Sequence, residues 1–93
     1  MNHQTITVTE ELELVGRRRL ATLTGVRAST VQYYSEQGLL PYHQAGAGLA
    51  RRYDLQEASE RLHEIANLQA LGLSIDEIKA RLNSASIAER VST

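Results

Sequence analysis

The sequence contains no cysteine, tryptophan or phenylalanine among its 93 residues. Without cysteine it can form neither disulfides nor thiolate metal sites. Its three histidines, His3, His43 and His63, are too far apart for zinc-ligand spacing, so no metal or other cofactor is predicted. No apolar run approaches a membrane span, and the N-terminus has no basic stretch followed by an apolar one. We expect a one-domain, soluble, cytoplasmic protein.

The charges are distributed unevenly along the chain, although the formal net charge is only −1. Residues 16–53 contain six arginines and a single acid, Glu36, whereas residues 1–15 and 54–93 are each net acidic. Because duplex DNA attracts a basic face and not a basic total, this asymmetry is compatible with nucleic-acid binding. The alternative is an ordinary fluctuation of surface charge.

Two capping boxes predict a pair of helices in the second half of the chain. Asp54–Glu57 and Ser74–Glu77 each have the residue types and spacing that cap a helix N-terminus. Apolar residues spaced by three and four follow, and Gly72 can end the first helix in the left-handed conformation. We predict helices over about residues 55–71 and 75–83, packed as a hairpin.

Two shorter helices are predicted upstream of these. Leu20–Val26 is typical of a short helix that stops at Gly25, and Ser29–Gln37 of a second one that stops at Gly38. Two short helices joined by a tight turn that contains glycine form the helix-turn-helix pattern.

The segment between Pro41 and Tyr53 is predicted to form a two-stranded hairpin, or wing. Its centre is rich in glycine and alanine, and the residues that bound it could pair as strands. A plain flexible loop is the alternative. At the N-terminus, Thr5–Val8 suits a strand, whereas Thr7 with Glu10 would cap a short helix.

These elements predict a partly ordered N-terminal extension over residues 1–14, a folded domain over 15–83 and a flexible tail over 84–93. Tyr34 is interpreted as a core residue. The predicted core consists of Leu20, Leu23, Val26, Val31, Leu39, Tyr53, Leu62, Ile65, Leu68, Ile75, Ile78 and Leu82.

Five motifs of this chain occur in an order and spacing that match one known family. The matching stretches are Leu20–Val26, Val31–Tyr34, Gly38–Pro41, Arg51–Asp54 and Leu71–Leu82. Over about residues 15–83 the chain resembles the DNA-binding part of the MerR family. The resemblance implies a mostly α, MerR-like winged helix-turn-helix fold with four helices and a small β-hairpin wing.

The resemblance also implies sequence-specific binding of double-stranded DNA by a transcription regulator that lacks the effector and coiled-coil parts. Only about ten residues follow Leu82, where longer relatives continue into a pairing helix, so we expect this chain to be a monomer and leave a dimer open for a longer natural form. The alternative is a protein-interaction module on the same fold, similar to the chaperone-modulator relatives, that does not bind DNA. No nucleophile elbow, phosphate loop or metal cluster occurs, and an enzyme is not expected.

Polar residues of the second short helix are candidates for DNA contact. If Val31 packs in the core, then Ser29, Thr30 and Tyr33 present hydroxyls outward, toward phosphates or base edges. Gln32 can read adenine bidentately in the major groove. For Tyr33, partial burial against the wing is the alternative.

Arginines supply the remaining candidates. Arg17, Arg18 and Arg19 lie at the start of the first helix, where cations oppose the helix macrodipole. Phosphate binding would explain them, and a solvated basic turn is the alternative. By resemblance, Arg51 is the wing residue that grips a phosphate, and Arg52 is the second choice. The candidate DNA-binding residues are Arg18, Arg19, Arg27, Ser29, Thr30, Gln32, Tyr33, Arg51 and Arg52.

Several positions depart from the family pattern. The family usually has a small capping residue where Arg27 stands, and often arginine where Ser29 and Gln32 stand. The usual aromatic residue of the wing is absent near Ala50. The second short helix is therefore less basic than expected, although Arg27 could supply part of the missing charge.

Overall fold

Two short helices joined by a tight turn carry the N-terminal half of the fold. The computed structural model describes the backbone of residues 13–92 and the side chains of residues 13–83. Helix α1 spans Arg17–Thr24 and helix α2 spans Ala28–Glu36. Gly25 ends α1 at a φ of 77°, in the left-handed conformation that glycine adopts without strain. This arrangement confirms the predicted helix-turn-helix.

Two longer helices follow, and both begin at the predicted caps. Helix α3 spans Leu55–Ala70 and helix α4 spans Ile75–Ser92. The Asp54 carboxylate accepts hydrogen bonds from two backbone N–H groups in the first turn of α3. At α4 both halves of the capping box form: the Ser74 N–H donates to Glu77 Oε1 at 2.8 Å, and the Glu77 N–H donates to Ser74 Oγ at 3.2 Å.

A two-stranded antiparallel sheet lies beside the wing. Strand β1, Leu14–Val15, pairs with strand β2, Tyr53–Asp54, so that the last residue of β1 lies opposite the first of β2. The wing itself is closed by one antiparallel bridge, in which His43 and Arg52 exchange backbone hydrogen bonds of 2.7 and 2.8 Å. The predicted wing is therefore present, but the main partner of its second strand is β1, which was not anticipated.

One hydrophobic core joins all these elements. Tyr34 is buried, as predicted, and its hydroxyl donates to Gln69 Oε1 at 3.3 Å. The buried apolar residues are Val15, Leu20, Val31, Tyr34, Leu39, Leu40, Tyr53, Ala58, Leu62, Ile65, Leu68, Ile78 and Leu82.

The prediction for Leu23 was wrong, because this side chain is 47% exposed. The inward face of α1 runs through Leu20, Ala21 and Thr24, which leaves Leu23 at the edge of a shallow groove between α1 and α3. Other predicted core positions, Val26 and Ile75, are partly buried and pack against the core, whereas the core list omitted Val15, Leu40 and Ala58.

The last helix is longer than predicted. Helix α4 continues to Ser92, beyond the expected end near residue 83 and through most of the expected tail over 84–93. The sequence after residue 83 contains neither glycine nor proline, so it has no strong helix-ending residue there. Among the helices of residues 13–92, none is both long and apolar enough to cross a membrane.

The start of the described chain belongs to the folded unit. Leu14, assigned to the extension over residues 1–14, lies in β1, and the carbonyl oxygen of Glu13 accepts from the Leu55 N–H at 2.9 Å. The alternatives for Thr5–Val8, a strand or a capped helix, lie outside the described residues.

Candidate nucleic-acid interface

Helix α2 is anchored to the core by its inward face. The buried Ser35 hydroxyl donates its proton to the Val31 carbonyl oxygen at 2.8 Å. The Ser35 oxygen therefore acts as the acceptor for the Tyr53 hydroxyl, which lies 2.8 Å away. Beyond the helix, Arg61 Nη1 of α3 donates to the Leu39 carbonyl oxygen at 2.9 Å. These bonds fix α2 against both the wing and α3.

The opposite face of α2 is open. Ser29, Gln32, Tyr33 and Glu36 recur at helical spacing, and all four side chains are exposed. Tyr33 is 44% exposed, and its ring stacks at a tilt against the neighbouring Tyr34 ring, with centroids 5.9 Å apart. The helix therefore presents one amide, one carboxylate and two hydroxyls to solvent.

A basic groove lies between α1, α2 and the wing. Its volume is about 610 Å³. Five arginines from two separate parts of the chain line it, together with one acid from α2. The lining side chains that carry charge or an amide are Arg17, Arg18, Arg19, Gln32, Glu36, Gln44, Arg51 and Arg52. The excess of guanidinium groups makes the groove attractive to anions.

The two wing arginines differ from each other in their surroundings. The Arg51 guanidinium carbon lies 4.6 Å from the centroid of the Tyr42 ring, a cation–π arrangement. The Tyr42 ring in turn packs edge-on against the buried Tyr53 ring, with centroids 6.3 Å apart. Arg51 is half-buried, whereas Arg52 is exposed. The core therefore positions the Arg51 charge through a chain of two aromatic rings.

A hydrogen-bonded relay links α1 to α2 inside the groove. Arg17 Nη1 donates to Gln32 Oε1, and Gln32 Nε2 donates to Glu36 Oε2 at 3.0 Å. The guanidinium and the carboxylate thus engage opposite ends of the same amide.

The structure brings together some of the predicted site residues and separates others. Arg18, Arg19, Gln32, Arg51 and Arg52 line the groove. The other candidates, Arg27, Ser29, Thr30 and Tyr33, do not line it.

Arg27 occupies the N-cap of α2, where its carbonyl oxygen accepts from the N–H groups of Thr30 and Val31, each at 3.0 Å. Its side chain makes no capping bond, because a guanidinium has no acceptor to offer.

Two charged residues that line the groove were absent from the predicted set. Glu36 follows Gln32 by four residues, and this spacing alone could have indicated a side-chain pair on a helix. Arg17 contacts Gln32 across 15 positions of sequence, and no local pattern reveals such a contact. In the part of the chain that the structure describes, no group of three or more histidine or acidic side chains is arranged to hold a metal ion.

The fold and the groove define a small winged helix-turn-helix protein with a basic surface. A family model for the MerR HTH family regulatory protein matches residues 18–85, more than half of the chain. The chain therefore belongs to the MerR family, a family of transcription regulators.

Relatives among curated proteins agree with this assignment. The chain is 39% identical over 64 residues to the HTH-type transcriptional regulator ZntR homolog of Haemophilus influenzae, which covers 69% of this chain and 47% of that protein. It is 43% identical over 65 residues to the HTH-type transcriptional activator SoxR homolog of Chromobacterium violaceum, covering 69% of this chain and 42% of that protein. The chain thus spans less than half the length of these two relatives.

A solved structure is also similar. It is the crystal structure of HiNmlR, a MerR family regulator lacking the sensor domain, bound to promoter DNA. The TM-score is 0.66 at 25% sequence identity, and the match covers 86% of this chain and 64% of that chain.

Proposed function

We propose that this chain binds double-stranded DNA sequence-specifically and acts as a transcription regulator of the MerR type. The observation that carries the proposal is the groove in which five arginines of α1 and the wing flank the open face of α2. Arginines neutralise phosphates, and an exposed helix between them can enter the major groove. The promoter DNA in the similar HiNmlR complex supports the same interpretation.

The residues of the groove suit two kinds of DNA contact, one to phosphates and one to base edges. Arg18, Arg19 and Arg52 are exposed cations and suit phosphate oxygens, which fix the position of the protein on the duplex. Gln32 lies on the open face of α2 and suits the donor and acceptor of an adenine edge. The proposed function is therefore binding and not catalysis. We place the protein in the cytoplasm, with the chromosome.

Selection of binding sites from a randomised pool of duplexes tests the sequence-specific part. The purified chain should enrich a recurring motif. A duplex with that motif should bind at least about tenfold more tightly than a scrambled one, because each mismatched pair costs about 1–3 kcal/mol. Failure to enrich any motif would overturn the claim of sequence specificity.

A matched pair of arginine variants tests the groove. Arg19→Gln should weaken binding to all duplexes alike and flatten the plot of log affinity against log salt by about one unit. Arg81→Gln makes the same change at an exposed position of α4 that does not line the groove, and should leave both quantities unchanged. Equal effects of the two variants would contradict the assignment of the groove as the DNA surface.

A further inference from the structure

We infer that Glu36 determines DNA specificity by orienting Gln32, and that it does so at the expense of affinity for DNA of every sequence. Arg17 completes the arrangement from the other side. The inference rests on the proposed function and names the two groups that position its base-reading amide.

The relay gives the Gln32 amide one orientation. Its oxygen faces the Arg17 guanidinium and its nitrogen faces the Glu36 carboxylate. Reversing the amide would set donor against donor at Arg17 and acceptor against acceptor at Glu36. The free protein therefore holds a single arrangement of donor and acceptor on this face of α2.

The relay also leaves the amide able to read a base. A glutamine amide has two N–H donors and two acceptor lone pairs, and the relay engages one of each. One donor and one acceptor remain, which is the pair that the N7 and N6 groups of adenine require. Arg17 and Glu36 thus act as positioning residues, because ordering an exposed side chain before binding removes part of the entropy lost on binding.

The charge of Glu36 opposes DNA binding. Among the side chains of residues 13–83 it is the only acid that lines the groove with five arginines, and it is exposed, so the core does not need it. The ion pair seen within residues 13–83 joins Arg61 to Glu64, so Glu36 is not part of it. The Glu36 carboxylate instead accepts a hydrogen bond from the Gln32 amide. A carboxylate on a surface that meets phosphates repels all duplexes equally. If Glu36 does not itself contact a base, it can raise specificity only through what it does to Gln32.

Two substitutions separate the charge from the hydrogen bond. Glu36→Gln removes the charge and keeps an acceptor for Gln32, so affinity for scrambled duplex should rise about two- to fivefold while base discrimination is kept. Glu36→Ala removes both, so affinity for scrambled duplex should rise similarly. Discrimination at the position read by Gln32 should then fall about three- to tenfold.

The chain offers a matched control on α3. There Gln56 Nε2 donates to Glu60 Oε2 at 3.3 Å, the same glutamine-to-glutamate pair at the same spacing. Neither residue lines the groove, so Glu60→Gln and Glu60→Ala should change neither affinity nor discrimination.

The decisive experiment titrates labelled duplexes that carry the selected motif and its single-base variants with wild type, Glu36→Gln, Glu36→Ala, Gln32→Ala and the double variant Gln32→Ala/Glu36→Ala. The position read by Gln32 is the one where Gln32→Ala relaxes preference. In that background Glu36→Ala should cause no further loss of discrimination. Thermal melting of each variant checks that it is folded.

The results separate the inference from the proposed function. If wild type does not distinguish the selected motif from a scrambled duplex, the proposed function fails. If wild type distinguishes them but Glu36→Ala keeps full discrimination at the Gln32 position, the inference alone is overturned. It is also overturned if Glu36→Ala relaxes preference at a different position, because Glu36 would then read a base itself.

Discussion

The Tyr53 hydroxyl donates a hydrogen bond to the Ser35 hydroxyl across 2.8 Å, and this contact joins the base of the wing to helix α2. Both residues are buried, at 1% and 4% exposure. Because Tyr53 directly follows the wing arginines, the bond fixes their distance from the exposed face of α2. The geometry of the basic groove therefore depends on one buried pair of hydroxyls.

Tyr53→Phe should lower the free energy of unfolding by about 0.5–1.5 kcal/mol, because it removes one buried hydrogen bond and keeps the ring. Urea denaturation measures the change. Tyr42→Phe is the matched control, since this ring is more exposed and no hydrogen bond of its hydroxyl is seen among the described residues. Equal losses in the two variants would mean that the Ser35 bond contributes nothing specific.

Two leucines of α1 should respond differently to the same substitution. Leu20 is fully buried and Leu23 is 47% exposed. Leu20→Ala should reduce the free energy of unfolding by about 2–5 kcal/mol through lost burial and a cavity. Leu23→Ala should reduce it by less than about 1 kcal/mol, because little apolar area leaves the core. The change in helix propensity is the same in both, so a comparable loss would show that the packing of α1 is not as described.

Arg51 and the ring that holds it should give separable effects on DNA binding. Arg51→Ala should weaken binding to all duplexes and reduce the salt slope by about one unit, as a lost phosphate contact does. Tyr42→Leu keeps the charge but removes a cation–π contact worth about 0.5–1 kcal/mol, so affinity should fall about two- to fivefold at an unchanged slope. A changed slope in Tyr42→Leu would contradict the positioning role of the ring.

Local signals in the sequence were sufficient to predict the helices. The Asp54 and Ser74 caps and the glycine at residue 25 act through bonds within a few residues, so their effect can be read along the chain. The end of α4 was missed because a helix without a stop signal has no local boundary. The pairing of β1 with β2 was missed because it joins residues far apart in sequence, and a two-residue strand has no period of its own.

The candidate site divides in the same way. Arg18, Arg19, Gln32 and the wing arginines followed from residue type, position and resemblance. The relay of Arg17, Gln32 and Glu36 depends on how closely α1 and α2 pack, which their sequences do not specify.

The dependence of wild-type binding on salt shows most directly whether the arginines of the groove bind duplex DNA. Titration of a labelled duplex at several salt concentrations gives the slope of log affinity against log salt. Each neutralised phosphate contributes about −0.9, so we expect a slope of about −3 to −5 from the arginines of the groove. Absence of binding to any duplex at low salt, or binding that does not change with salt, would contradict the assignment of this groove as a DNA-binding surface.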